Sequence, residues 1–316
     1  MNKICKFISI GLVIGSLPSF ILAQPVSVTD DRQVTSILES PPKRVAAISI
    51  FGADLMVKLQ HPLVALSTRN NSYPSYLKPQ LGNLIDLGAA HETNLEMLTK
   101  AQPDLTVGIK IYTLPVAKKI EEISPFLAFD FNSWADSDRA IAVTTTALGL
   151  AEKGVVLNQS FRKLAKSFSE RASNRPQNTL LLWFWAGTPV GFHAEKHLTT
   201  ELISVLNVEN VMSKHTDQIS QVLSMEKILQ LDPDSILIFQ GGDKKLQYHP
   251  VWERLKAYRN QRIYRVSEQY VEPHGPIARE YVLREMAHLF YPLTFPKPSH
   301  IPAKASAKFA GWKAAN

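Results

Sequence analysis

Two hydrophobic rhythms alternate along the chain. Continuous apolar runs of strand length, "RVAAISI" (Arg44 to Ile50), "LVALS" (Leu63 to Ser67) and "FLAFDF" (Phe126 to Phe131), suit buried strands. Between them, "GADLMVKL" (Gly52 to Leu59) and "LPVAKKIEEI" (Leu114 to Ile123) carry helical spacing. The same grammar returns later: strand Thr179 to Trp185, helix Leu198 to Leu206, helix Pro250 to Tyr258, strand Arg262 to Val266 and a last helix Arg279 to Tyr291. Alternating strands and helices predict an α/β fold of two lobes, each a mostly parallel sheet flanked by helices.

One unit occurs twice. "NLEMLTKAQPDLTVGI" (Asn94 to Ile109) and "SMEKILQLDPDSILIF" (Ser224 to Phe239) place Glu96 and Glu226, Pro103 and Pro233, and Asp104 and Asp234 in matching slots 130 positions apart. Leu95, Leu98 and Ala101, like Met225, Ile228 and Leu229, predict a short helix facing a sheet, and the Pro-Asp pair turns the chain into the next strand. Thr93 to Glu96 fits a capping box, and Ser224 as N-cap puts Glu226 in the first turn, where the helix dipole favours negative charge. Capping does not explain why the glutamate recurs at equivalent places.

Between the halves, Asp136 to Arg171 has apolar residues three and four apart, which predicts one long amphipathic helix, broken near Gly154 and capped by Asp136 or Ser137. About 30 helical residues would span ~45 Å, enough for a stiff strut between lobes. The expected organisation is therefore 1–23 leader, 42–135 first lobe, 136–172 connecting helix, 178–292 second lobe and 293–316 a Pro- and Lys-rich tail without fixed order.

The leader changes the picture of redox and location. Lys3 and Lys6 precede an apolar run that ends at Ile21-Leu22-Ala23, the pattern of a secretory signal peptide cut after Ala23. Cys5, the single cysteine, lies within it, so the mature chain has no disulfide and no thiolate chemistry. A cysteine that could carry lipid does not follow the cut, and a soluble periplasmic protein is expected. The formal charge of +7 is also uneven. Without the two leader lysines and Lys297, Lys304, Lys308 and Lys313 of the tail, 29 basic residues face 28 acidic ones, so a nucleic-acid-binding face has no support.

The segments "PKRVAAIS", "LIDLGAAHETNLEMLTKAQPDLTVGI" and "VLSMEKILQLDPDSILIF" resemble, in order, those of the periplasmic ligand-binding proteins of iron-siderophore and vitamin B12 ABC importers. The likeness runs from Pro42 to about Tyr291. It implies two lobes joined by one rigid helix, a ligand in the cleft between them, no enzymatic activity, no permanently bound cofactor and a monomer in solution. It also implies that Glu96 and Glu226 meet arginines of the permease dimer, and a carboxylate at an exposed helix start suits bidentate pairing with a guanidinium.

Ligands of open α/β sheets gather at the carboxyl ends of strands. Those ends offer Phe51, Arg69, Tyr73, His91, Lys110 and Tyr112 from the first lobe. The second offers Trp185, His193, His197, Gln240, Tyr270 and His274, with Trp183 assigned to the core. A ferric siderophore needs aromatic walls and a few cations rather than a full set of metal ligands, and Lys110, Arg69, Tyr112 and Trp185 match that need. Relatives that take hydroxamates carry an arginine just after the glycine of "GLRTEPN", where this chain reads Gly88-Ala89-Ala90-His91. That departure shifts the expectation towards another chelate class.

Three alternatives stand beside the siderophore. Haem or cobalamin fits the same importer class, with Tyr112 or His91 as an iron ligand for haem. A direct metal carrier would use His193 and His197 on one helical face with His274 and Glu272. An enzyme acting on a chelate lacks a G-x-S-x-G elbow or a phosphate-binding loop.

Overall fold

The structure, a computed structural model, describes residues 25–68, 72–175, 177–185, 188–192, 197–214, 220–239, 250–266 and 268–298. An antiparallel hairpin, β1 (Val26–Thr29) and β2 (Thr35–Leu38), precedes the first lobe. That lobe runs β3 (Val45–Ile48), α1 (Ile50–Leu59), β4 (Leu63–Thr68), β5 (Ile85–Ala89), α2 (Leu95–Ala101), β6 (Leu105–Ile109), α3 (Lys110–Thr113), α4 (Ala117–Glu121) and β7 (Phe126–Phe129). Its five strands are all parallel, in the order β5-β4-β3-β6-β7. Every residue of β3 is buried, as a central parallel strand covered on both faces requires.

Two helices follow, α5 (Trp134–Ala147) and α6 (Ala151–Arg171). The single connecting helix expected from the spacing is thus corrected. The break lies at Leu148 to Leu150, where Gly149 takes a φ of 69°, while Gly154 sits buried inside α6 against Thr145 of α5. Nor do Asp136 or Ser137 start the first helix. Ser133 is its N-cap, with Oγ accepting from the Asp136 N–H, and the Asp136 carboxylate reaches back to the Asn132 N–H. The two helices double back on each other. Ile141, Ala147 and Leu148 complete the first lobe's core, whereas Phe161, Ala165 and Phe168 belong to the second's. At 21 residues, α6 crosses between lobes over roughly 30 Å.

The second lobe comprises β8 (Gln177–Trp185), β9 (Thr188–Phe192), α7 (Leu198–Val205), β10 (Val208–Asn210), β11 (Ser220–Val222), α8 (Met225–Leu231), β12 (Ser235–Phe239), α9 (Lys256–Arg259), β13 (Ile263–Val266) and α10 (Pro276–Phe290). Its sheet has the order β11-β9-β8-β12-β13, with β10 also against β8. The β10, β8, β12 and β13 pairings are parallel; those of β9 with β8 and β11 are antiparallel. The helix expected at Pro250 to Tyr258 is instead a 3-10 turn to Arg254 followed by α9, and Leu114 to Ile123 likewise begins with a 3-10 turn before α4. Both segments carry a proline near the start, and both are too short for helical propensity to outweigh local packing.

The repeated unit is α2-β6 in one lobe and α8-β12 in the other. Asn94 and Ser224 are the N-caps, accepting from the Met97 and Lys227 amides, so the capping box from Thr93 is not formed and Thr93 Oγ1 donates to the Ala90 carbonyl. The Pro-Asp pairs also gain a reason. The Asp104 carboxylate accepts from the Lys43 and Arg44 amides at the start of β3, both at 2.7 Å, and Asp234 accepts from the Asn178 amide beside the start of β8 at 3.1 Å. Each aspartate fastens the first strand of its lobe. No described helix is long and apolar enough to cross a membrane.

Candidate functional site

The carboxyl ends of the two sheets converge where the lobes touch. Phe131, two residues beyond β7, stacks on His274, which follows β13, with ring centroids 4.5 Å apart and planes 19° apart. Phe51 and Phe129 lie behind Phe131, Phe51 at 4.9 Å and Phe129 at 6.3 Å. The polar bonds that hold this junction are buried. Asp54 of α1 reaches out of the first lobe to cap α10 of the second, accepting from the Ile277 amide at 2.8 Å, the Ala278 amide at 2.9 Å and the Tyr76 hydroxyl at 2.7 Å. Burial pushes the Asp54 carboxyl up to about 6 despite these donors and nearby Arg279. One turn on, Arg279 is buried and donates to Asp138 (2.8 Å), Ser137 Oγ (3.1 Å) and Asn158 Oδ1 (2.9 Å), with its guanidinium over the Phe161 ring. Ser137 Oγ also sits 2.6 Å from the His274 carbonyl. Burial lowers the Arg279 pKa and Asp138 raises it, the first effect being the larger.

The residues named from sequence divide sharply around this junction. Phe51 is 1% exposed and belongs to the first lobe's core, so it is not a ligand wall. Tyr270 is fully buried beside Glu285, and burial followed by that carboxylate raises its phenol well above the usual range; it too leaves the ligand set. His274 is 4% exposed and serves the interlobe stack. His197 is the N-cap of α7, with Nδ1 accepting from the Thr199 amide and Nε2 3.1 Å from the Val271 carbonyl, so its ring is engaged at the helix start. A strand end placed all four near the junction, but the sequence signal carried no depth: side chains alternate faces, and loops fold back over them.

Other candidates remain at the surface. Tyr112 is 41% exposed beside Ile111 at 75%, and His91 lies exposed on the 3-10 turn after β5. Tyr73 is half-buried, its phenol raised by burial and by Asp86. Lys110 opens α3, and its ammonium is held by Asp130 Oδ2 at 2.8 Å and the Asp31 carbonyl at 3.0 Å. Asp130 and Asp31 lay outside the sequence reading; the facing ends of β6 and β7 bring Asp130 to Lys110, which only strand register reveals. Trp183 packs partly buried against the second lobe's core. Arg69, His193 and Gln240 lie outside the described residues, as does the Trp185 side chain at the end of β8. Among the described residues no cluster of three His, Cys, Asp or Glu could hold a metal ion. Glu96 and Glu226 are both exposed at the second position of their helices.

Residues 45–270 match the family model described as a periplasmic binding protein. The chain belongs to this family. Its fold is that of class III binding proteins, with one α/β lobe on either side of a helical connection. The binding protein is 22% identical over 247 residues to the Fe(3+)-citrate-binding protein YfmC of Bacillus subtilis, covering 75% of this chain and 77% of that one. Among solved structures, the iron uptake ABC transporter substrate-binding protein PiuA of Streptococcus pneumoniae superposes with a TM-score of 0.73 at 18% identity, over 83% of this chain and 97% of that chain. The siderophore binding protein BauB, solved with a complex between two molecules of acinetobactin and ferric iron, gives 0.73 at 18%, over 84% and 99%. Two curated relatives from the same Bacillus are named as lipoproteins.

Proposed function

We propose that this binding protein captures a ferric siderophore between its lobes and delivers it to the permease dimer of an ABC importer. The observation that carries the reading is the repeated α2-β6 and α8-β12 unit within a family match across most of the chain. Each lobe sets an exposed glutamate at the second position of a capped helix, ready to pair with a cation on a two-fold partner. Delivery in this scheme needs no chemical step, and the protein acts as a stoichiometric carrier rather than an enzyme.

The ligand face proposed comprises Tyr73, His91 and Tyr112 of the first lobe; Arg69, Trp185, His193 and Gln240 are proposed to join them on the grounds of sequence alone. Titration of the mature protein with ferric hydroxamate, catecholate and citrate chelates, followed by tryptophan quenching, should give saturable one-to-one binding, with affinities that differ between the chelates. A Soret band with haem and no quenching by any chelate would replace the siderophore by haem. Changing Glu96 and Glu226 together to alanine should leave chelate affinity unchanged and abolish uptake; unchanged uptake would reduce both residues to helix-start charges.

Export is proposed to follow cleavage after Ala23, giving a soluble, monomeric periplasmic form. The relatives named as lipoproteins make anchoring the competing outcome. The intact mass of the exported protein separates the two, since an acylated chain would be heavier and would partition with membranes.

A further inference from the structure

Lys110 is a first-lobe cation at the carboxyl end of β6, and it is already occupied. β6 and β7 run in register with Ile109 beside Phe129, so the next residues, Lys110 and Asp130, face each other and pair at 2.8 Å. The N-terminal hairpin straps this pair in place. Its Asp31 gives a carbonyl to Lys110 and a carboxylate oxygen to the Asp130 amide at 2.8 Å. The same carboxylate takes Arg139 Nε at 2.7 Å and Nη2 at 2.8 Å, and Arg139 also binds Asp136. Arg32, in the same hairpin turn, is held by Asp30 and Glu121. Three cations here are thus matched by five carboxylates, and the residue after Asp130 is Phe131, the first-lobe half of the interlobe stack. Hydrogen bonding to Asp130 is the largest effect on the Lys110 pKa and raises it; desolvation opposes this, and the charges of Asp130, Asp31 and Asp30 add to the rise.

We infer that Asp130 is a specificity-determining residue, holding Lys110 away from the ligand so that the site favours ferric chelates of low net negative charge over strongly anionic ones. The inference rests on the siderophore reading above. A trianionic chelate would have to draw Lys110 from Asp130 and then face the carboxylate left behind, whereas a neutral chelate disturbs neither. The discrimination is by charge and not by chelating group, and it agrees with the near-neutral balance of the chain between its two ends. A like charge some 10 Å away in a partly solvated site changes affinity by a few-fold per unit charge, so about tenfold is expected for a trianion.

The test is the ratio of two affinities, for a trianionic ferric tris-catecholate and a neutral ferric trihydroxamate, measured by fluorescence quenching at low salt. Contributions of the second lobe and of residues 69–71 are common to all variants and cancel in the comparison. Asp130→Asn should tighten the tris-catecholate about tenfold while leaving the trihydroxamate within about twofold, which also shows that the variant is folded. The double variant Asp130→Asn with Lys110→Met should return the ratio to that of the wild type, identifying the released ammonium as the cause. A ratio that Asp130→Asn leaves within about twofold of the wild type overturns the inference. Failure of every chelate to bind the wild type would instead remove the siderophore reading itself.

Discussion

Replacing Asp54 by asparagine should change stability by an amount that depends on pH, and the sign follows from the junction. Three donors converge on this fully buried carboxylate, at 2.7, 2.8 and 2.9 Å. Asparagine keeps the shape, but its NH2 cannot accept where even the hydroxyl oxygen of the protonated acid can, so either the Ile277 or the Ala278 amide faces amide hydrogens, at a cost of about 1–3 kcal/mol. Against this stands the cost of ionising the group in the interior. A carboxyl raised from 3.8 to about 6 disfavours the charged folded state by about 3 kcal/mol once the pH is well above 6. Between those two values the folded protein binds the proton more tightly than the unfolded chain, so the stability contributed by Asp54 is fully present below about pH 4 and declines as pH rises through 6. Asparagine does not titrate. The variant should therefore be less stable than the wild type by about 1–3 kcal/mol at pH 4.5, and the deficit should shrink or reverse at pH 7.5. Urea unfolding of both proteins at the two pH values reads the difference directly, and other titrating groups cancel in it. A deficit that grows with pH would mean that the three hydrogen bonds outweigh burial and that Asp54 stays ionised throughout.

The same junction constrains Gly275, the N-cap of α10: a Cβ there would lie 2.2 Å from Asp54 Cγ, so Gly275→Ala should lower stability by about 1–3 kcal/mol, seen as a drop in Tm. Asn94→Ala and Ser224→Ala should each cost about 1 kcal/mol, because each removes the N-cap oxygen of its helix, whereas alanine at Glu96 or Glu226 should cost less than half of that; thermal melts of the four single variants give the order. Glu285 is buried against the Tyr281 hydroxyl, and burial pushes its carboxyl up to about 7, so its stabilising contribution falls as pH rises from about 4.5 through 7. Glu285→Gln should raise Tm relative to the wild type more at pH 8 than at pH 5.

How much of this could be read in advance depended on whether the deciding interaction was local. β3, β4, β6, β7 and β13 are continuous apolar runs flanked by turn residues, and their positions follow from that pattern within two residues. The short strands β1, β2, β5, β9, β10 and β11 carry no such signal, since edge and hairpin strands are half-exposed and take polar residues. The break between α5 and α6 was misplaced because two glycines, Gly149 and Gly154, compete five residues apart. Periodicity cannot tell a glycine that reverses the chain from one that admits a neighbouring helix. Burial at the junction was illegible for a similar reason. Phe51, Tyr270 and His274 lie where ligands gather in such folds, but burial is set by packing partners distant in sequence: Phe51 joins the core of its own lobe against Phe129, Tyr270 lies beside Glu285, and His274 meets Phe131 of the other lobe.

In the duplicated unit the residues that fix the fold are distinct from the glutamate for which docking is proposed. In each copy the structural work falls to residues other than the glutamate: Asn94 or Ser224 satisfies the helix start, a left-handed residue before the proline ends the helix, and the aspartate after it fastens the first strand. The glutamate, placed second in the helix, is neither the cap nor the strand anchor, so its carboxylate is presented outward at a site whose backbone is already fixed by its neighbours. That division makes the docking reading separable from stability. If Glu96 and Glu226 were retained for the helix dipole alone, lysine at both positions would destabilise the two helix starts by roughly 0.3–1 kcal/mol each and leave transport intact. If they meet permease cations, the same double substitution sets like charges against each other at two points, and transport should fail while the folded protein still binds its chelate.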